Sequence, residues 1–521
     1  MSAAPASVTP LQRDGGSAPI EPDFAAFARL YDEGVPQVVW TRLVADLETP
    51  VSAMLKVANE RPNSFLLESV EGGATRGRYS IIGCEPDLIW RADGNKAEIN
   101  RRPQADAEAF APCPQPALAS LRALLAESAI TLPQALPPMA AGIFGYMGYD
   151  TVRLIEHLPG GGPDPLELPD SILVRPTLIV IFDSVKDEMT VVTPVRAAPG
   201  VSAKAAYARA ADRLNVVLER LDQPLPHASE LDANAPHPAP KATTAPEAYM
   251  AKVARAQEYI AAGDIFQVVL SQRFEAPFEL PSFSLYRALR RVNPSPFLYY
   301  LNFGGFAVVG SSPEILVRVR QGEVTIRPIA GTRPRGKTPE EDKALADELL
   351  TDAKERAEHL MLLDLGRNDV GRVSEVGSVR VTDSFFLEYY SQVMHIVSNV
   401  EGRLDANHDA VDALMAGFPA GTVSGAPKVR AMEIIDELED AARGIYAGCV
   451  GYFSADGEMD SCIVLRTSVV KDGIMYVQAG AGIVADSVPE REQAECVSKA
   501  GALFKAADEA VRFATRGKRG Q

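Results

Sequence analysis

Four glutamates stand in two pairs of identical spacing, Glu355 with Glu358 and Glu492 with Glu495. A separation of three puts both members of a pair on one face of an α-helix, so each helix offers two carboxylates side by side. Lys499 follows Glu495 by four, on that same face. Carboxylate oxygens gathered from two helices suit Mg2+, a hard cation that takes one or two protein carboxylates, keeps several waters and accepts an oxygen from its substrate. Acidic pairs also occur on solvated helix faces, where Asp and Glu are commonest. The recurrence on two helices is what points to a shared site.

Two glycine-rich stretches could turn backbone N–H groups toward an anion: Gln478–Ala479–Gly480–Ala481–Gly482–Ile483 and Arg327–Pro328–Ile329–Ala330–Gly331–Thr332–Arg333. Small residues at a strand end let a ligand approach the backbone closely, although glycine there also serves plain turns and bulges. Neither stretch fits GxGxxG after a strand, and no Walker loop occurs, so no dinucleotide fingerprint is found. His395, one of six histidines, sits in the alternating run Val393–Met394–His395–Ile396–Val397 and faces away from Met394 and Ile396. It is either a satisfied core residue or a group titrating near neutrality.

The elements that must position these residues carry clear start signals. Thr338–Pro339–Glu340–Glu341 combines an N-cap threonine, a proline at the first helical position and an acid three after the cap, and Ser487–Val488–Pro489–Glu490 repeats the pattern. These predict two long helices, one running from Pro339 through Glu355 and Glu358 to Leu363, the other from Pro489 through Glu492 and Glu495 to Phe513. Further helices are expected at Ala117 to Leu125, Tyr249 to Ala262 and Leu285 to Arg291. Strand-like runs lie at Ile172 to Val174, Leu178 to Phe182, Phe266 to Leu270, Phe306 to Val309, Val324 to Ile326 and Tyr476 to Ala479. No period of 20 to 50 residues repeats, so an α+β fold with a sheet-rich catalytic half follows.

A chain of 521 residues exceeds what a single core usually supports. Residues 1–24, rich in Ala, Pro, Gly and Ser, read as a disordered tail, and the proline-dense stretch 223–246 as a linker. This divides the chain into an N-terminal domain over 25–222 and a catalytic domain over 247–515. The net charge of −17 argues against nucleic acid and anionic membranes as partners, and an anionic substrate then requires local cations. Five cysteines without a CxxC pair suggest neither a zinc site nor a disulfide framework. With no basic-then-apolar leader and no long apolar run, a cytoplasmic location is expected.

Seven blocks in order carry a resemblance: GDIFQVVLSQRF (263–274), GSSPE (310–314), PIAGTRPRG (328–336), ERAEHLMLLDLGRNDVGRV (355–373), HIVS (395–398), PAGTVSGAPK (419–428) and GAGIVADSVPEREQAE (480–495). Together they resemble the chorismate-utilising enzymes, whose fold is a large antiparallel β-sandwich flanked by helices. Within that family, isochorismate and salicylate synthases carry a water-activating lysine where this chain has Gln267, and aminodeoxychorismate enzymes typically read PIKGT where it has Ala330. Both differences favour the anthranilate synthase branch, as does the pairing of Leu66–Leu67–Glu68–Ser69 with Asn293–Pro294–Ser295–Pro296–Phe297–Leu298, which is similar to that branch's tryptophan-feedback motif. Phe297–Leu298 stands where many relatives read Tyr-Met, which bears on inhibitor affinity.

The resemblance implies a division of roles. Glu358 and Glu495 would bind Mg2+, with Glu355 and Glu492 as further ligands. Arg466, Tyr446, Thr422, Lys499 and the backbone of Gly480, Ala481 and Gly482 would hold chorismate, and Gly331 and Thr332 its ring hydroxyl region. Glu314, His395, Thr332 and Gln267 would serve catalysis. Glu68, Ser69, Asn293, Pro296, Phe297, Leu298, Tyr452 and Cys462 would bind tryptophan as inhibitor. No Gly-x-Cys-x-Gly elbow is present, so ammonia is expected from a separate glutamine amidotransferase subunit, in a heterotetramer of two large and two small subunits.

Overall fold

The computed structural model describes residues 19–71, 75–226, 239–390 and 393–515. Among them, 23 strands join one hydrogen-bonded network, and every ladder that builds it is antiparallel. The fold is α+β, with helices laid over the outside of this sheet.

Residue parity explains how one sheet yields two apolar layers. Phe65, Ile81, Ile172, Val174, Ile179, Tyr299 and Leu301 point into a core built mostly of strand residues. Their neighbours Leu66, Ile82, Leu173, Val180 and Tyr300 point the other way, into a core shared with the helices. Adjacent strand residues face opposite sides, so a strand buried on both needs apolar residues throughout. The run Ser171–Asp183, buried nearly end to end, meets that demand.

The sheet also crosses the proline-rich stretch. Phe297–Asn302 pairs with the Ser64–Glu71 strand, and Cys449–Ser454 with Gly142–Met147, so the residues on either side of 223–246 share their ladders. Within that stretch 227–238 lie outside the described residues, Lys241–Ala242 pairs with Phe274 and Glu275, and helix Pro246–Ala262 begins at its end. Of the tail expected over 1–24, residues 1–18 lie outside the described residues; Ile20–Glu21 is a strand paired with Trp40 and Thr41, and Asp23 caps helix Phe24–Asp32.

The long helix expected from Pro339 is instead two. Thr338 caps Pro339–Thr351 as its sequence predicts, and Asp352 then ends that helix and begins Ala353–Gly371, its carboxylate accepting from the N–H groups of Lys354 and Glu355. A side chain that satisfies two orphan N–H groups makes a new helix start favourable even where propensity alone would continue the old one. The second helix, Pro489–Thr515, starts as predicted, but Ser487 accepts from the Val484 N–H at 3.1 Å rather than capping it. It lies over strand Ile474–Ile483. No described helix is long and apolar enough to cross a membrane.

Candidate active site

Strand Gln267–Pro277 runs antiparallel to Ile474–Ile483, placing Val269 opposite Gly482 and Ser271 opposite Gly480. Gln267, 4% exposed, reaches from this strand to Glu358, its Nε2 lying 3.4 Å from the carboxylate. The room it uses exists because residue 482 is glycine: a Cβ there would stand 2.5 Å from Gln267 Nε2. Among the described residues the Gln267 side-chain carbonyl oxygen is buried without a partner.

The two glutamate pairs differ in how they are held. Arg333 grips Glu355 at 2.8 Å while also pairing with Glu348 and Asp352. Glu358, the next residue on that helix face, forms no ion pair among the described residues; burial raises its pKa, and the charges of Glu355 and Glu495 raise it further, against the Gln267 amide and the charge of Lys354. Burial likewise raises that of Glu492, reinforced by Glu495. Like charges that act on a buried carboxyl in this way mark carboxylates crowded toward one place. Among the described residues no group of three or more His, Cys, Asp or Glu is already drawn up as a metal-ligand set. The donor chemistry nevertheless fits a hard divalent cation, which would relieve the mutual repulsion of Glu358, Glu492 and Glu495.

Lys499, expected to meet a substrate carboxylate, is exposed and spends its ammonium on partners within the chain, 2.8 Å from Glu495 and 2.9 Å from the Gly480 carbonyl. It tethers the helix to the glycine strand. Tyr446 closes against the same strand, since a Cβ at Gly480 would lie 2.9 Å from its hydroxyl. Arg466 is the cation left open. Among the described residues no carboxylate pairs with it, and burial lowers its pKa. A half-buried guanidinium without a counter-ion is a receptor for an anion.

A bulge delivers the second catalytic cluster. Between Ala330 and Thr332 the register of strand Ile329–Pro334 against Val393–Arg403 shifts at Gly331, whose φ of +70° glycine adopts at no steric cost. The bulge turns the Gly331 carbonyl and the Thr332 hydroxyl onto Nδ1 of His395, each at 3.0 Å. Among the described residues His395 Nε2 is buried without a partner. Burial, with Arg466 adding to it, pushes the imidazole down to about 4. It is therefore neutral at pH 7, and the Gly331 carbonyl assigns the proton to Nδ1, leaving the Nε2 lone pair free.

Glu314 lies between strands Phe306–Ser312 and Ile315–Arg320, its carbonyl fixed by the Ile463 N–H at 3.0 Å. The side chain is buried, and desolvation raises its carboxyl to about 8, with Thr422 and the Ile329 N–H opposing the shift. The carboxyl is protonated at neutral pH.

Three groups were not foreseen from sequence. Arg333 and Asp352 hold Glu355, the first of the glutamate pair on that helix. Tyr390 walls the imidazole, with ring centroids 5.6 Å apart, and donates to Glu388 at 2.6 Å. Arg333 lies within the PIAGTRPRG block, but nothing local marks its partner 22 residues on.

The residues expected to hold an inhibitor are divided. Ser69 pairs with Phe297 and Glu68 with Leu298, so the two couples face opposite sides of the ladder. Phe297, Tyr452 and Cys462 belong to the inner core, whereas Leu298 belongs to the helix-side core. On that outer side Glu68 is occupied by Arg290 at 2.5 and 2.9 Å and by the Tyr286 hydroxyl. Ser69 donates to the Tyr79 carbonyl at 3.2 Å. Asn293 accepts from Ser311 through its backbone carbonyl at 2.5 Å, and Pro296 is partly exposed.

A family model described as chorismate binding enzyme matches residues 65–505. The anthranilate synthase component 1 of Cereibacter sphaeroides is 58% identical, over 95% of this chain and 99% of its own length. The chain belongs to the anthranilate synthase component 1 group of chorismate-binding enzymes. Its relative from Thermus thermophilus is 49% identical over 89% of this chain and 96% of that one. The crystal structure of anthranilate synthase component I from Streptococcus pneumoniae superposes with a TM-score of 0.72 at 38% identity, covering 82% of this chain and 92% of that one. The menaquinone-specific isochorismate synthase of Escherichia coli, at 18% identity and a TM-score of 0.68 over 93% and 98% of the two chains, shares the fold.

Proposed function

We infer that this chain is the large component of an anthranilate synthase, taking chorismate and ammonia to anthranilate, pyruvate and water. The observation that carries this reading is the set of unmet polar groups at the site: among the described residues the Gln267 side-chain carbonyl and His395 Nε2 are both buried without partners, beside the uncompensated Arg466. Buried polar atoms left unpaired in the free protein are the atoms a polar ligand is expected to satisfy.

Chorismate is a dianion, and Arg466 supports binding of one carboxylate, with Tyr446 and the backbone at Gly480 to Gly482 beside it. Glu358 and Glu495 would hold Mg2+, with Glu355 and Glu492 as further ligands or ligands through water; when bound, the ion supplies Lewis-acid polarisation of the ring carboxylate and so makes C2 electrophilic. Gln267 presents an amide where hydrating relatives present an amine. It can accept N–H bonds from ammonia but cannot take a proton from water, which favours nitrogen as the nucleophile. Glu314, held protonated by burial, can donate to the departing 4-hydroxyl. Gly331 and Thr332 lie at the ring-hydroxyl end, and His395, neutral with Nε2 free, can move a proton as pyruvate is eliminated. Ala330 offers no amine for a covalent adduct with the ring.

The chain carries no nucleophile elbow for glutamine hydrolysis, so a glutamine amidotransferase component supplies ammonia, in an assembly of two large and two small subunits. The five cysteines are free thiols, in keeping with a reducing cytoplasm. Tryptophan is the feedback inhibitor in this reading, bound on the inner side of the Ser69–Phe297 pair near Tyr452 and Cys462. Product analysis from chorismate, ammonia and Mg2+ tests the assignment.

A further inference from the structure

Helix Ala353–Gly371 presents Glu358 and His359 as consecutive residues, about 100° apart around its axis. A rotation by one residue would exchange their places. Something must fix that rotation, and the capping of the helix by Asp352 acts only at its first turn.

His359 is fully buried at 0% exposure, and its Nε2 lies 2.6 Å from the Ser398 hydroxyl. The same hydroxyl accepts the N–H of Phe385 at 3.1 Å, so its own proton is free to go to Nε2. Phe385 has a φ of +53° at a place where the ladder of Arg380–Tyr389 against Val393–Arg403 shifts register, and its ring meets His359 edge-on with centroids 4.7 Å apart. A bulge has freed a backbone N–H, and Ser398 and His359 continue the chain of hydrogen bonds from it, which ends at a buried Nδ1 that has no partner among the described residues. Ser398 stands three residues after His395, on the opposite face of the same strand. One strand thus carries the imidazole of the site on one face and the anchor of the carboxylate helix on the other.

We propose that His359 is a positioning residue that, through Ser398, locks the rotation of helix Ala353–Gly371 and so aims Glu358 at the cation site. This rests on the reading of Glu358 as a metal ligand. The lock uses no charge, and its work is directional: a buried hydrogen bond between a helix and a strand is satisfied in one register only.

Mn2+ binding followed by electron paramagnetic resonance, on the full chain with chorismate and without ammonia, tests it. His359→Leu, close in volume but without a hydrogen bond, should weaken Mn2+ binding at least tenfold. His359→Gln, whose amide reaches the Nε2 position, should recover most of that loss. Ser398→Ala should match the leucine variant, and the double variant should bind no worse than either single one. Glu358→Gln and Glu495→Gln separate the two inferences. If they bind Mn2+ as the wild type does, the metal assignment fails. If they lose it while the folded Ser398→Ala variant binds normally, the metal assignment stands and the lock is refuted. Should His359→Leu not fold, Ser398→Ala and His359→Gln decide the question alone, since equal binding by Ser398→Ala and wild type overturns the proposal.

Discussion

Gly482 makes room for Gln267. The Cβ that any other residue would carry at 482 would fall 2.5 Å from the Gln267 amide nitrogen, which is the atom facing Glu358 at 3.4 Å. Gly482→Ala should therefore push the amide off its line to Glu358 while leaving the ladder with Val269 intact. A displacement of about 1 Å at a reacting centre costs on the order of a hundredfold in rate. The expected outcome is a fall of that order in kcat with ammonia, with a circular dichroism spectrum like the wild type. Unchanged kcat would remove Gln267 from the catalytic group.

Glu314 links rate and stability to pH in one direction. Its carboxyl is raised to about 8 by burial, above the roughly 4.3 of a free glutamate. The folded state then binds its proton more tightly than the unfolded chain does. Its contribution to stability is greatest below the unfolded value and is lost as pH rises toward about 8. If the protonated form is the acid, kcat should fall above about pH 8 as well. Glu314→Gln should abolish most turnover and flatten the stability profile between pH 6 and 8, which chemical denaturation at several pH values measures. A wild-type rate still rising past pH 9 would assign the acid elsewhere.

Strand parity gives the regulatory prediction its shape. Ser69 faces the inner core with Phe297 across the ladder, whereas Glu68 is spent on Arg290 and Tyr286. Ser69→Arg should fill the inner side and weaken tryptophan binding at least about tenfold, or about 1.4 kcal/mol, while activity without tryptophan is kept. Since the two ligands share no residue, inhibition is a coupling free energy, and chorismate with Mg2+ should weaken tryptophan binding by the factor that tryptophan weakens chorismate binding. Calorimetric titration of tryptophan into both proteins checks this, and equal affinity would refute the site.

Much of this was legible in sequence because it is local. The seven blocks carried the family, alternation carried the strands, and Thr338 announced its helix. The division of the inhibitor residues was available in principle, since adjacent strand positions face opposite sides. Three features were not. Helix propensity runs on through Thr351–Asp352–Ala353, so the break there is visible only once the Asp352 carboxylate is seen on two N–H groups. Arg333 finds Glu348, Asp352 and Glu355 across a turn whose geometry no local pattern encodes. The pKa values of Glu314 and His395 follow from burial by distant strands, which residue type does not report.

In the proposed reaction nitrogen, not water, attacks chorismate, and elimination of pyruvate follows in the same site. Incubating the purified chain with chorismate, Mg2+ and ammonia, with no amidotransferase and no lyase added, tests this most directly. Anthranilate, seen by its ultraviolet fluorescence, should form together with one pyruvate per molecule and should vanish when ammonia or Mg2+ is left out. Accumulation of isochorismate, or of an aminodeoxychorismate that yields no pyruvate until a lyase is supplied, would contradict it.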